Sequence, residues 1–180
     1  MRVAFLVPLK RFDLAKERLR ASPDLDVTAL AEALALGVVT SCAPRPVYVL
    51  AESDEVADFA VRHGARVRRS HAASLNEAVQ GAYDELGTHF GQLIVAHGDL
   101  RQPAGLGSFE PSPGVTIITD HLNDGTNVLV VPTGLRFRFA YGPGSAARHR
   151  DEALRLGQSV TVISDSPWRF DVDEPRDLSP

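Results

Sequence analysis

Leu93-Ile94-Val95-Ala96-His97-Gly98-Asp99-Leu100 is the stretch that decides the architecture. Four successive apolar residues without alternation mark a strand covered on both faces, and such strands belong to parallel sheets with helices above and below. The run stops at His97-Gly98, and a carboxylate follows at once. Ligands in open α/β sheets gather beyond the carboxyl ends of the strands, so Asp99 is well placed to hold a divalent cation. From position alone, a solvated turn aspartate is an equal reading.

Upstream, Val3 to Val7 is a second continuous apolar run, ended by Pro8. Asp13 to Arg20 reads as a helix broken by Ser22-Pro23-Asp24, and Thr28 as the cap of a helix with Leu30, Ala31, Leu34 and Val38 at helical spacing. Val47 to Ala51 is a strand, Asp54 to His63 a helix capped by Ser53 and closed by Gly64, and Ala65 to Val67 a further short strand. Ser74 to Leu86 is a helix. Downstream, Gly105 to Gly114 is loop-like, and Val115 to Thr119 and Val128 to Val131 are strands around a polar turn. Phe137 to Tyr141 alternates, Ser145 to Leu156 is a helix closed by Gly157, Val160 to Ile163 is a strand, and Phe170 to Asp173 is extended. Alternating strands and helices predict a single α/β domain over 1–180, with a mostly parallel sheet and helices on both faces.

The chain has 180 residues with 44% hydrophobic and 23% charged, enough for a core without disulfides. A net charge of -4 argues against a nucleic-acid partner, so a bound nucleotide is expected to be a small free one. No apolar run reaches the ~18 residues of a membrane span. The amino-terminal run is too short for a signal peptide, and Cys42 alone cannot form an intramolecular disulfide, so a cytoplasmic protein is expected. Cys42 itself reads as packing. Apolar helix faces serve cores and interfaces alike, which leaves a homodimer open.

Four further groups could carry chemistry. Asp171-Val172-Asp173 would project two carboxylates to one face of a strand, and like charges side by side call for a cation such as magnesium. With Asp99 they make a candidate metal site from distant parts of the chain; the bland account is exposed aspartates at a strand end. Asp124-Gly125-Thr126-Asn127 is a hairpin turn that can also offer donors to an anion. Tyr141-Gly142-Pro143-Gly144-Ser145 precedes a helix whose amino terminus is either an ordinary capped start or an anion site. His149, one turn on, could reach that anion or be a surface histidine. Lys10 and Lys16, the only lysines, stand with Arg18 after the first strand, where a triphosphate or plain solvent could meet them. No G-x-x-x-x-G-K-[ST] or G-x-G-x-x-G is present, which weakens kinase, GTPase and dinucleotide readings.

In order along the chain, Val7-Pro8-Leu9-Lys10, Ala15-Lys16-Glu17-Arg18-Leu19, Leu75-Asn76, Gly98-Asp99-Leu100, Asp124 to Asn127, Tyr141 to Ser145 with His149, and Asp171 to Pro175 with Asp177-Leu178 resemble the 2-phospho-L-lactate guanylyltransferase family of coenzyme F-420 biosynthesis, phosphoenolpyruvate guanylyltransferases included. The resemblance implies a nucleotidyltransferase fold of the glycosyltransferase-A type. It implies transfer of GMP from GTP to 2-phospholactate or phosphoenolpyruvate, with release of pyrophosphate. It places Mg2+ on Asp99, Asp171 and Asp173, the phosphorylated acid on Thr126, Gly142 and Ser145, and the nucleotide on Lys10, Lys16, Arg18 and Asn76, with Lys16 also catalytic. The chain departs from the family's pattern at Arg101, where proline is usual, at Pro23 to Asp26, and at Ser74, where a glycine is frequent. These departures touch the nucleotide side. A nucleotidyltransferase with another acceptor (a molybdopterin cofactor or a sugar phosphate) and a non-catalytic nucleotide-binding relative are the competing readings.

Overall fold

A computed structural model describes residues 2–16, 19, 25–174 and 177. The strands are β1 (Val3–Leu9), β2 (Val47–Ala51), β3 (Arg66–Arg69), β4 (Gln92–Ala96), β5 (Val115–Thr119), β6 (Thr126–Pro132) and β7 (Val160–Ile163). The helices are α1 (Val27–Ser41), α2 (Asp54–Arg62), α3 (Leu75–Leu86) and α4 (Ser145–Arg155). All strands form one sheet in the order β3-β2-β1-β4-β6-β5-β7.

The apolar strand runs divide residue by residue between two cores, as a period of two demands. Phe5, Val7, Ile94, Ala96, Val128 and Val130 face α1 and α2 through Ala35, Val38, Val56 and Phe59. Ala4, Leu6, Leu93, Val95, Leu129 and Val131 face α3 and α4 through Val79, Tyr83, Leu86 and Ala153. The doubly covered sheet expected from the sequence is therefore present.

One strand sets the site. Every neighbouring pair is parallel except those of β6, which is antiparallel to both β4 and β5. The Asp120–Gly125 turn reverses the chain at the carboxyl end of β5, with Asp120 N–H donating to Gly125 O at 3.1 Å. So β6 begins at the edge where the parallel strands end, and Thr126 and Asn127 arrive beside the carboxyl end of β4 (His97 N–H donates to Asn127 O at 3.0 Å). The strand starts two residues earlier than its apolar pattern suggests, because the Thr119–Thr126 pairing continues the ladder past the apolar run.

Three local expectations change. Within Asp13–Arg20, residues 13–16 turn and bend rather than forming a helix, and Lys16 has a left-handed backbone with φ of 57°. That conformation is incompatible with a continuing helix. Asp26, not Thr28, caps α1, accepting from Ala29 N–H at 3.0 Å. Phe170–Asp173 forms a single antiparallel bridge, Leu100 with Asp171, and no longer strand. Among the described residues no helix is long and apolar enough to cross a membrane.

Candidate active site

The segment leaving β4 and the carboxy-terminal segment are laced together. Arg101 N–H donates to Phe170 O at 2.8 Å, and Val172 N–H donates to Asp99 O at 3.1 Å. On its other side Gly98 packs close to β1: a Cβ there would lie 2.2 Å from Leu9 Cδ2. Asp177 accepts from the N–H groups of Asp173 and Glu174 at 2.9 and 2.7 Å, which fixes the turn that carries Asp173. The result brings Asp99, Asp171 and Asp173 together, with a carboxylate oxygen from each within 4.8 Å of the others.

Lys16 reaches this cluster from the loop after β1. Its ammonium donates to Asp99 and, at 2.8 Å, to Asp173. Burial by itself would lower the Lys16 amine, but the charges and hydrogen bonds of the two aspartates outweigh it and hold the amine above its usual value. Burial works to raise the Asp99 carboxyl, yet Lys16 and His97 hold it below the usual range. Asp171 lacks the lysine. Burial, with the negative charges of Asp99 and Asp173 added, raises it, although Asn127 donates to it at 3.4 Å. Asp99 Oδ1 is buried without a hydrogen-bond partner. An unpartnered buried carboxylate oxygen beside two further carboxylates fits a hard divalent cation in kind and number.

Two cavities meet at the cluster. One, of about 710 Å³, is lined by Pro8, Lys10, Lys16, Ser74 and Leu75, and includes the start of α3. The other, of about 370 Å³, is lined by Asp124, Thr126, Asn127, Gly142 and Ser145. His97, Asp99 and Asp173 line both. A small compartment and a larger one therefore share an acidic wall.

The small cavity is built from the start of β6 and the start of α4. Asp124 ties them, its carboxylate accepting from Gly144 N–H at 2.8 Å and its carbonyl from Ala146 N–H at 3.0 Å. Gly142 has φ of 111°, a backbone open to glycine and strained for other residues. The Ser145 hydroxyl donates to Thr126 Oγ1 at 3.2 Å.

Lys10 is exposed on the wall of the larger cavity, and Arg18 lies outside the described residues, as do Pro175 and Leu178. Asn76, expected on the nucleotide, lines neither cavity; its Oδ1 accepts from Tyr141 N–H at 2.6 Å and its Nδ2 donates to Tyr141 O at 3.4 Å. Both ends of its amide thus clamp the peptide before Gly142. His149 is neither a surface histidine nor an anion ligand, because it is fully buried between Thr126 and Ala140. The helical pitch put it beside Ser145 correctly, but the direction of that face was not readable. Arg101 lines neither cavity. Cys42 is buried, and burial pushes its thiol up to about 12, as a packing residue requires.

Sequence reasoning missed His97 as a site residue. Its imidazole packs on Tyr141 with ring centroids 5.3 Å apart, and its Nε2 is buried without a partner. Its place directly before Gly98-Asp99 was the available signal.

Comparison with known proteins bears on the fold and the family. A nucleotidyl transferase from Methanothermobacter thermautotroptrophicus superposes with a TM-score of 0.65 at 14% identity, over 98% of this chain and 94% of that one, which shows the fold. The phosphoenolpyruvate guanylyltransferase of Rubrobacter xylanophilus is 31% identical over 99% of this chain and 93% of its own length. The 3-phospho-D-glycerate guanylyltransferase of Phenylobacterium zucineum is 28% identical over 91% and 82%. A sequence model described as guanylyl transferase CofC like matches residues 1–180, and the chain belongs to that family of guanylyltransferases.

Proposed function

We propose that the chain transfers GMP from GTP to a phosphorylated three-carbon acid, with phosphoenolpyruvate the first candidate, in a magnesium-dependent reaction of coenzyme F-420 biosynthesis. The observation that carries this reading is the acidic wall shared by a large and a small cavity. The larger compartment, with Lys10, Lys16 and the start of α3, suits a nucleoside triphosphate. The smaller one, with Thr126, Gly142 and Ser145, suits a compact anion.

The α-phosphate then sits at the junction. An ionised oxygen of the acceptor attacks the α-phosphorus in line, a new P–O bond forms, and the bond to the β-phosphate oxygen breaks. Pyrophosphate leaves with the electron pair. The nucleophile is already deprotonated near neutral pH, so no general base is required, and catalysis is positioning plus charge neutralisation. Lys16 offsets negative charge beside the leaving group. Asp99, Asp171 and Asp173 would hold magnesium, which supplies charge neutralisation at the phosphates. The remaining residues orient: Asn76 holds the Tyr141 peptide, and Asp124 holds the start of α4.

The test is mass spectrometry of products formed from GTP and magnesium with phosphoenolpyruvate, 2-phospho-L-lactate or 3-phospho-D-glycerate. A guanylylated acid with equimolar pyrophosphate is expected from at least one. Nucleotide binding by calorimetry without product from any of the three would instead indicate a non-catalytic relative.

A further inference from the structure

His149 stands on α4 one turn after Ser145, packed against Phe137, Phe139 and Tyr141. Its two nitrogens meet different partners. Ala140 N–H points at Nε2 from 3.0 Å. A backbone amide can only donate, so Nε2 presents a lone pair, and the proton of the neutral ring sits on Nδ1. Burial, with the Arg148 charge and His97 adding to it, pushes the ring down to about 4 and keeps it neutral. Nδ1 lies 3.1 Å from Thr126 Oγ1, which therefore accepts from it.

The proton count of the next contact then follows. Thr126 and Ser145 have one hydroxyl proton each, and one of these closes the 3.2 Å contact between them. The second proton has two destinations. A bare Nδ1 would draw it back to the imidazole and leave the pair with lone pairs only. A protonated Nδ1 leaves it for the cavity that both residues line. The side of the ring that holds the hydrogen thus decides whether the cavity offers a donor or only acceptors.

We infer that His149 is a positioning residue whose Nδ1–H tautomer, fixed by the Ala140 amide, turns the Thr126–Ser145 pair into a hydrogen-bond donor for an anionic oxygen of the acceptor. This rests on the reading of the smaller cavity as the acceptor site. The imidazole touches no reacting atom. It acts through the two hydroxyls, and its own charge state does not change in the reaction.

Two variants separate the two nitrogens. In His149→Gln the amide reaches the Nε2 position and can still accept from Ala140 N–H, but the donor to Thr126 is lost. In His149→Asn the amide lies at the Nδ1 position and can donate to Thr126. His149→Gln is expected to raise the acceptor KM by roughly tenfold to a hundredfold, the loss of one hydrogen bond to a charged group, with the GTP KM unchanged. His149→Asn is expected to recover most of that loss. A purely structural role would instead track the thermal stability of the two variants. The tautomer is read directly by long-range proton–nitrogen correlation spectra of protein labelled with 15N-histidine, His149 being assigned by its absence in the variants among the six histidines. An Nδ1–H ring at neutral pH is expected, and an Nε2–H ring overturns the inference. With an Nε2–H ring, a raised acceptor KM in Ser145→Ala would leave the acceptor site standing. An Nδ1–H ring with the GTP KM raised in both Ser145→Ala and His149→Gln would overturn the acceptor-site reading itself.

Discussion

Lowering the pH should destabilise the protein through His149, by an amount that follows from its burial. The ring is pushed from its usual 6.5 to about 4 by burial, with Arg148 and His97 adding to it. A histidine held neutral in the fold binds a proton more readily once unfolded, so the stability it contributes is complete above about 6.5 and is lost as the pH falls toward 4. Taking those two values, the loss relative to pH 7 is about 2 kcal/mol at pH 5 and about 3 kcal/mol at pH 4. The assay is urea unfolding at pH 7 and pH 5, for the wild type and for His149→Gln. Other histidines and the carboxylates titrate in both proteins and cancel in the comparison. The wild type is expected to lose about 2 kcal/mol more than the variant over this interval. Equal losses would refute the reasoning, because the ring would then accept a proton in the fold as easily as in the unfolded chain.

Asp99→Ala should remove turnover with the fold kept, as judged by circular dichroism and thermal unfolding; full activity with magnesium supplied would refute the cation site. Asn76→Ala frees both hydrogen bonds to the Tyr141 peptide, so the acceptor KM should rise by about tenfold, from loss of ordering worth one to two hydrogen bonds. A rise confined to the GTP KM would put Asn76 on the nucleotide instead. Gly142→Ala forces a side chain into φ of 111°, which should cost about 1–3 kcal/mol in stability or, if the loop relaxes, raise the acceptor KM; an unchanged melting temperature together with an unchanged KM would refute the strain.

The order of apolar runs along the chain was enough to determine an α/β sheet covered on both faces, since a strand buried twice must be apolar throughout, whatever its neighbours. Asp99 was legible for a similar reason: a carboxylate at the end of such a strand is at the ligand edge by topology alone. The convergence of Asp171 and Asp173 on it was a conjecture from like charges and an implication of the family resemblance, and here the tertiary structure decided, through the bridge between Leu100 and Asp171. No periodicity reveals a pairing between segments some seventy residues apart. The antiparallel pairing of β6 with β5 was legible in the hairpin turn at Asp124-Gly125, but its insertion beside β4 was not, because an apolar run does not name its neighbours; that place brings Thr126 to the edge where Ser145 waits. Lys16 and His149 mark the same boundary. Their chemistry was visible as residue type, but a left-handed turn at one and complete burial of the other assigned them to a carboxylate cluster and to a hydroxyl pair. Residue type constrains what a side chain can do, while its partners are chosen by packing across the whole sheet.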